Sequence, residues 1–240
     1  MACRFARFRA HNVKEPTYRV NCNEYSMNKE DRKILVSRLR GLYVILDAQF
    51  LQNKDIVGVA ASVLSGGAKI LQVRDKLSDK GDILESTKRI RDICEDYGSL
   101  LIVNDHVDLA VASNAHGVHL GQHDLPIEEA RNILLPWQLI GTSNATVDEA
   151  SESMSRGADY IAVGAIFPTT TKGNTRPAGL NTLTRVKELA FVPVVAIGGI
   201  NESNVAQVID AGADAVCVIS AVIGAADPES AAGRMASYIS

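Results

Sequence analysis

From Gly41 onward, short runs of β-branched and aliphatic residues alternate with segments of helical period about eight times, and this alternation limits the fold more than any other feature. Repeated βα units give parallel strands, because each crossover helix returns the chain to the same end of the sheet. The runs lie at 42–46, 70–73, 100–103, 117–120, 139–141, 160–163, 194–197 and 215–219, with helices expected near 55–65, 79–97, 107–112, 126–134, 146–156, 180–189, 202–210 and 228–238. Two similar phrases, Arg156-Gly-Ala-Asp159 and Asp210-Ala-Gly-Ala-Asp214, end a helix before a strand, and glycine there suits a left-handed helix stop. Eight units could form an open doubly wound sheet, but no G-x-G-x-x-G follows the first run, where a dinucleotide would require it. The expectation is an α/β fold, a single closed (β/α)8 TIM barrel. With 240 residues, 46% of them hydrophobic, the chain is long enough for one such core.

The first 34 residues read differently. Arg4, Arg7, Arg9, Lys14 and Arg19 are scattered through a stretch with no sustained apolar period, so 1–34 is expected to be an N-terminal extension, flexible in part, and 35–240 the catalytic barrel. An Arg-rich opening is also a mark of organellar transit peptides, although Glu15 and Glu24 dilute it. A helix over 28–38 follows Met27, and residues 1–26 are expected to be dispensable.

A net charge of −3 argues against nucleic-acid or anionic-membrane partners, which call for a basic surface. Cys3, Cys22, Cys94 and Cys217 are widely spaced and suggest neither a zinc site nor a disulfide framework, so a reducing, cytoplasmic setting fits best. No apolar run approaches the length of a membrane span. Small-molecule substrates are the expected partners, and a homo-oligomer is compatible with the sequence.

In a barrel of this kind the chemistry sits at the C-terminal strand ends. The second run ends Gln72-Val-Arg74-Asp-Lys76, and a period of two places Gln72, Arg74 and Lys76 on one face, where two cations and an amide could grip a phosphate and a planar heterocycle. A surface ion pair with Asp75 or Asp79 is the structural alternative. Asn104-Asp105 follows the third run and Gly121-Gln-His-Asp124 the fourth, so two carboxylates occupy neighbouring strand ends and could share one Mg²⁺. Each could instead cap the helix that follows it. His116, His119 and His123 are close in sequence, but alternation sends His116 and His119 to opposite faces, which favours structural roles over zinc. The sixth run leads to Phe167-Pro-Thr169-Thr-Thr171-Lys172, a hydroxyl-rich loop that could close over an anion. Gly198-Gly199 and Ile219-Ser220 end the last two runs, where barrels often seat a phosphate.

Taken in order over about 41–238, these motifs closely resemble the thiamine phosphate synthase family. The resemblance implies that Gln72, Arg74, Lys76 and Asn104 bind a hydroxymethylpyrimidine pyrophosphate, that Asp105 and Asp124 hold Mg²⁺, and that Lys172 reaches the pyrophosphate. It places Ser143 near the pyrimidine and the transferred methylene, and Thr169, Thr171, Gly199, Ile219 and Ser220 around a thiazole phosphate. Arg74, Lys76, Ser143 and Lys172 are the implied catalytic residues. The mechanism it implies is dissociative: pyrophosphate leaves, and the thiazole nitrogen captures the pyrimidine cation. The sequence departs from the family where Ala145 replaces a frequent histidine and where Ala165 precedes Phe-Pro in place of Gly-Pro. A related branch, the thiazole tautomerases, is thought to use that histidine for proton transfer, which Ala145 cannot perform. A tautomerase-like isomerase and a non-catalytic phosphate-ligand sensor are the alternative readings.

Overall fold

The computed structural model describes residues 28–52, 54–169 and 176–239. Eight strands, β1 Gly41–Asp47, β2 Ile70–Arg74, β3 Leu100–Asn104, β4 Gly117–Leu120, β5 Leu139–Asn144, β6 Tyr160–Val163, β7 Val194–Ile197 and β8 Ala215–Val218, pair in parallel in chain order. β8 closes onto β1, with Gly41 opposite Ala215 and Val44 opposite Val218, so the sheet has no edge. The expected barrel is therefore the observed one. Helices α1 Lys29–Ser37, α2 Ala48–Leu51, α3 Ile56–Ser65, α4 Lys80–Asp96, α5 Val107–Ala112, α6 Ile127–Ile133, α7 Val147–Ser155, α8 Gly179–Leu189, α9 Val205–Asp210, α10 Ser220–Ile223 and α11 Pro228–Ser237 fill the connections.

The strands run to aliphatic residues because both their faces are covered, one by helices and the other by the barrel's own interior. Leu71, Leu101, Val118, Ile140, Ile161 and Val216 are fully buried. Both helix stops expected from the repeated phrase occur: Gly157 (φ 95°) and Gly212 (φ 92°) directly follow the C-caps Arg156 and Ala211. Helix α1 begins after Asn28, whose side chain accepts the Glu30 N–H at 2.7 Å while Asp31 returns the bond to the Asn28 N–H. Leu35 is buried, and Arg32 pairs with Asp159 at 3.5 Å, so α1 is docked on the barrel. Residues 1–27 lie outside the described residues, and with them the expectations made for positions 1–26.

Two differences from the expected elements bear on function. β5 runs to Asn144, three residues past the expected end, because Thr142, Ser143 and Asn144 pair with Ile161, Ala162 and Val163. Their polarity hid the strand from a hydropathy reading. The segment after β8, where no helix was expected before 228, is the one-turn helix α10, and a similar short helix, α2, follows β1 with Asp47 capping it through the Gln49 N–H at 3.0 Å.

Inside the barrel the alternation delivers polar as well as aliphatic groups. Tyr43, Ile45, Gln72, His119, Ser143, Ala162, Val195, Ile197 and Cys217 surround a cavity of about 20 Å³, space for a single water. Tyr160 lies across this interior only because position 141 has no side chain: a Cβ on Gly141 would sit 1.9 Å from the Tyr160 Cζ. Gly141→Ala is therefore expected to lower stability by about 3 kcal/mol, read as a lower urea midpoint at unchanged slope. An unaltered midpoint would show that the ring can move aside without cost.

Candidate active site

The C-terminal rim of the barrel collects charge at β1 to β4. Arg74, the last residue of β2, does not pair with Asp75 or Asp79; its Nη1 donates to Asp47 Oδ2 at 2.6 Å across the β1–β2 seam. Asp47 is buried and Arg74 nearly so, which makes this a shielded, charge-assisted bond. Asp75 turns instead to the backbone, accepting the N–H groups of Leu77 and Ser78 at 2.8 and 3.0 Å. Those bonds outweigh partial burial and leave its carboxyl below the usual range. Lys76 reaches the next strand end and donates to Asp105 Oδ2.

Neither carboxylate of the suspected metal pair is a helix cap. The N-cap of α5 is His106, and that of α6 is Pro126, with no side-chain bond at either. Asp105 occupies the left-handed region (φ 61°), a conformation an aspartate adopts at modest cost, and its N–H is held by the His119 carbonyl at 2.9 Å. Asp124 accepts the Gly121 N–H at 2.7 Å and meets Asp105 side chain to side chain. Burial pushes both carboxyls upward. For Asp105 the hydrogen bonds from Lys76 and Asp124 and the charge of Lys76 prevail, leaving it below the ordinary value. Asp124 stays raised because the neighbouring Asp105 adds to the effect of burial, against the Gly121 bond. Two carboxylates in contact, one of them bonded by the Lys76 ammonium, are a hard-oxygen donor set of the kind that could hold a divalent cation.

Gln72 and Asn104 are both buried on strands β2 and β3, Gln72 with its amide donating to Tyr43 Oη at 2.7 Å. Gln72 therefore forms the floor of the mouth. Ser143, half-buried on β5, has its Oγ 2.9 Å from His119 Nε2, and Gln122 Nε2 donates to its carbonyl at 2.6 Å. The two histidines do face opposite ways. His119 lines the interior, while His116 Nδ1 accepts the Leu101 N–H at 2.9 Å. Burial, then Arg91 and Arg38, depress His116 to about 3, so it stays neutral.

On the opposite half of the rim, Gly198 (φ 103°) and Gly199 (φ 66°) follow β7. A Cβ on Gly199 would lie 2.6 Å from the Pro168 carbonyl oxygen, and one on Gly198 would lie 2.6 Å from the Ala165 Cβ. These glycines thus let the loop after β6 lie against the β7 end, where Phe167 N–H donates to the Gly198 carbonyl at 3.0 Å. Thr169 is described, whereas Thr171 and Lys172 lie outside the described residues. Arg176 is held by Glu149, and Glu149 also accepts the Ala145 N–H at 2.8 Å. Ile219 is the N-cap of α10 and Ser220 its first residue. A larger cavity, about 260 Å³, lies among Arg38, Cys94, Glu95, Gly98, Ser99 and His116, at the start of β3 and β4 and away from the mouth.

Sequence reading passed over Asp47, Tyr43 and Tyr160. A signal for two of them was present: Asp47 ends the first strand at the position equivalent to the other rim residues, and Tyr43 shares its parity. A double-mutant cycle of Asp47→Ala and Arg74→Ala in urea unfolding should return a coupling of about 1–3 kcal/mol, since each removes the other's buried partner. Strict additivity would contradict the pairing.

The thiamine monophosphate synthase family model matches residues 42–222. The chain is 45% identical over 191 residues to the thiamine-phosphate synthase of Shouchella clausii, covering 79% of this chain and 91% of that protein. Against the thiamine-phosphate synthase of Moorella thermoacetica it is 43% identical over 195 residues, covering 81% and 93%. The solved structure of thiamine phosphate pyrophosphorylase from Pyrococcus furiosus aligns with a TM-score of 0.79 at 39% identity, over 85% of this chain and 97% of that one. This barrel, with its cation and carboxylate rim, belongs to the thiamine monophosphate synthase family.

Proposed function

We infer that the chain condenses 4-amino-2-methyl-5-hydroxymethylpyrimidine pyrophosphate with 4-methyl-5-(2-hydroxyethyl)thiazole phosphate, or its carboxylated form, to give thiamine phosphate and pyrophosphate. Beyond the family match, the observation that supports this reading is the convergence of Arg74, Lys76, Asp105 and Asp124 on one side of the mouth, next to Ser143. A departing pyrophosphate needs positive charge, which Arg74 and Lys76 would supply together with a divalent cation on Asp105 and Asp124.

Asp105 and Asp124 are the residues that would hold Mg²⁺, which when bound supplies charge neutralisation to the pyrophosphate oxygens. Arg74, kept in position by Asp47, and Lys76 grip the same oxygens, and Lys172 approaches them from the β6–α8 loop. Gln72 and Asn104 hold the pyrimidine from below. Ser143 faces the methylene. The methylene carbon to oxygen bond breaks with its electron pair leaving on pyrophosphate; the thiazole nitrogen then donates its lone pair to the pyrimidine cation. Thr169, Thr171, Gly199, Ile219 and Ser220 seat the thiazole phosphate, with N–H groups at the start of α10 available to it. The substrates are small molecules, and nucleic acid plays no part. The setting is cytoplasmic; among the described residues no helix is long and apolar enough to cross a membrane.

Asp105→Ala and Asp124→Ala are each expected to lower coupling by orders of magnitude and to weaken its dependence on Mg²⁺ concentration. Unchanged turnover in both would remove the metal from this site. For Lys172→Ala, single-turnover kinetics should show pyrophosphate departure slowed more than thiazole phosphate binding is weakened. The reverse pattern would move Lys172 to the thiazole side.

A further inference from the structure

A hydrogen-bonded chain crosses the barrel interior and ends on Ser143. Gln72 Nε2 donates to Tyr43 Oη at 2.7 Å, Tyr43 Oη lies 3.2 Å from Tyr160 Oη, and Tyr160 Oη lies 3.0 Å from His119 Nδ1. His119 Nε2 then lies 2.9 Å from Ser143 Oγ. Five residues on β2, β1, β6, β4 and β5 are thereby joined through groups that are almost all buried.

One arrangement gives each phenol and ring hydrogen along this chain an acceptor within it. A phenol has one hydrogen. In that arrangement Tyr43 accepts from Gln72 and donates to Tyr160, and Tyr160 donates to His119 Nδ1. The ring proton of a neutral His119 is then on Nε2, facing Ser143 Oγ, and the serine's own hydrogen is turned toward the mouth. Burial, with the nearby Cys217 adding to it, raises both phenols; Tyr160 raises Tyr43 further, whereas the bond from Tyr43 works against the rise at Tyr160.

We propose that Gln72, Tyr43, Tyr160 and His119 act as positioning residues that fix the hydroxyl of Ser143 as a hydrogen-bond donor to an in-plane lone pair of the substrate heterocycle. The inference rests on the reading that Ser143 faces the pyrimidine, whose ring nitrogens carry such lone pairs. A donor held in one direction favours a ring that offers an acceptor at that edge over one that offers C–H, because the mismatch leaves a desolvated hydroxyl unpaired. It also holds the methylene in line with the incoming thiazole nitrogen.

Two measurements test this. ¹⁵N NMR of the histidine-labelled full chain, with His119 assigned by its loss in His119→Gln, should show Nε2 protonated and Nδ1 bare; a proton on Nδ1 would overturn the proposed direction. The second is a cycle of Tyr160→Phe and Ser143→Ala on coupling turnover. Tyr160→Phe keeps the ring and is expected to lower kcat/KM roughly tenfold when Ser143 is present, the scale of one hydrogen bond, and by less than about twofold when it is absent. Equal losses in both backgrounds would make Tyr160 a packing residue and overturn the inference while leaving Ser143 at the reacting centre. Full turnover in Ser143→Ala alone would remove Ser143 from that centre and the inference with it. Should Tyr160→Phe fail to fold, Tyr43→Phe breaks the same chain one link further away and is read in the same way.

Discussion

The contact between the Tyr160 ring and the bare backbone of Gly141 is the constraint on which the polar interior depends. A small barrel normally fills its centre with aliphatic side chains in layers. Here one layer contains two phenols, an amide and an imidazole, which would be costly if any were left unpaired. Tyr160 meets both Tyr43 and His119 because its ring can lie over position 141, where any Cβ would collide with it. The ring centroids of Tyr160 and His119 are 5.7 Å apart, and those of Tyr160 and Tyr43 are 6.5 Å apart. Each group is satisfied by the next, and the last of them, His119, meets Ser143.

Above that floor, the rim is organised by cross-strand ion pairs. Arg74 and Lys76 leave the same strand and turn to opposite neighbours, Asp47 on one side and Asp105 on the other. Each cation is thus held before any ligand arrives, and lysine in particular would otherwise sample many rotamers. The second carboxylate, Asp124, is fixed by the Gly121 N–H rather than by a helix. The remaining half of the rim is shaped by close backbone approach, in which Gly198 and Gly199 admit the loop carrying Thr169. One side of the mouth carries charge and the other is shaped by close backbone approach.

Much of this was legible in sequence. The aliphatic runs identify every strand because both faces of each strand are buried, and rim residues such as Arg74, Asp105 and Asp124 lie within four residues of where those runs end. The polar end of β5 was not legible, since Thr142, Ser143 and Asn144 carry no hydropathy signal and are strand only through pairing with β6. Partnership across strands was not legible either. Asp47 and Arg74 are far apart in the chain, and only barrel register brings them together. Tyr43 and Tyr160 read as ordinary strand aromatics, because nothing local says that their hydroxyls meet inside. His119 was assigned a structural role, and its place between Tyr160 and Ser143 required the closed barrel to become visible.

Two phosphorylated heterocycles meeting in one mouth, with pyrophosphate as the leaving group, is the claim to which these features lead. It is tested most directly by incubating the purified full chain with both substrates and Mg²⁺ and quantifying thiamine phosphate and pyrophosphate together over time. The account predicts equal yields of the two throughout. Pyrophosphate released without thiamine phosphate, or altered thiazole phosphate with no pyrophosphate, would contradict it.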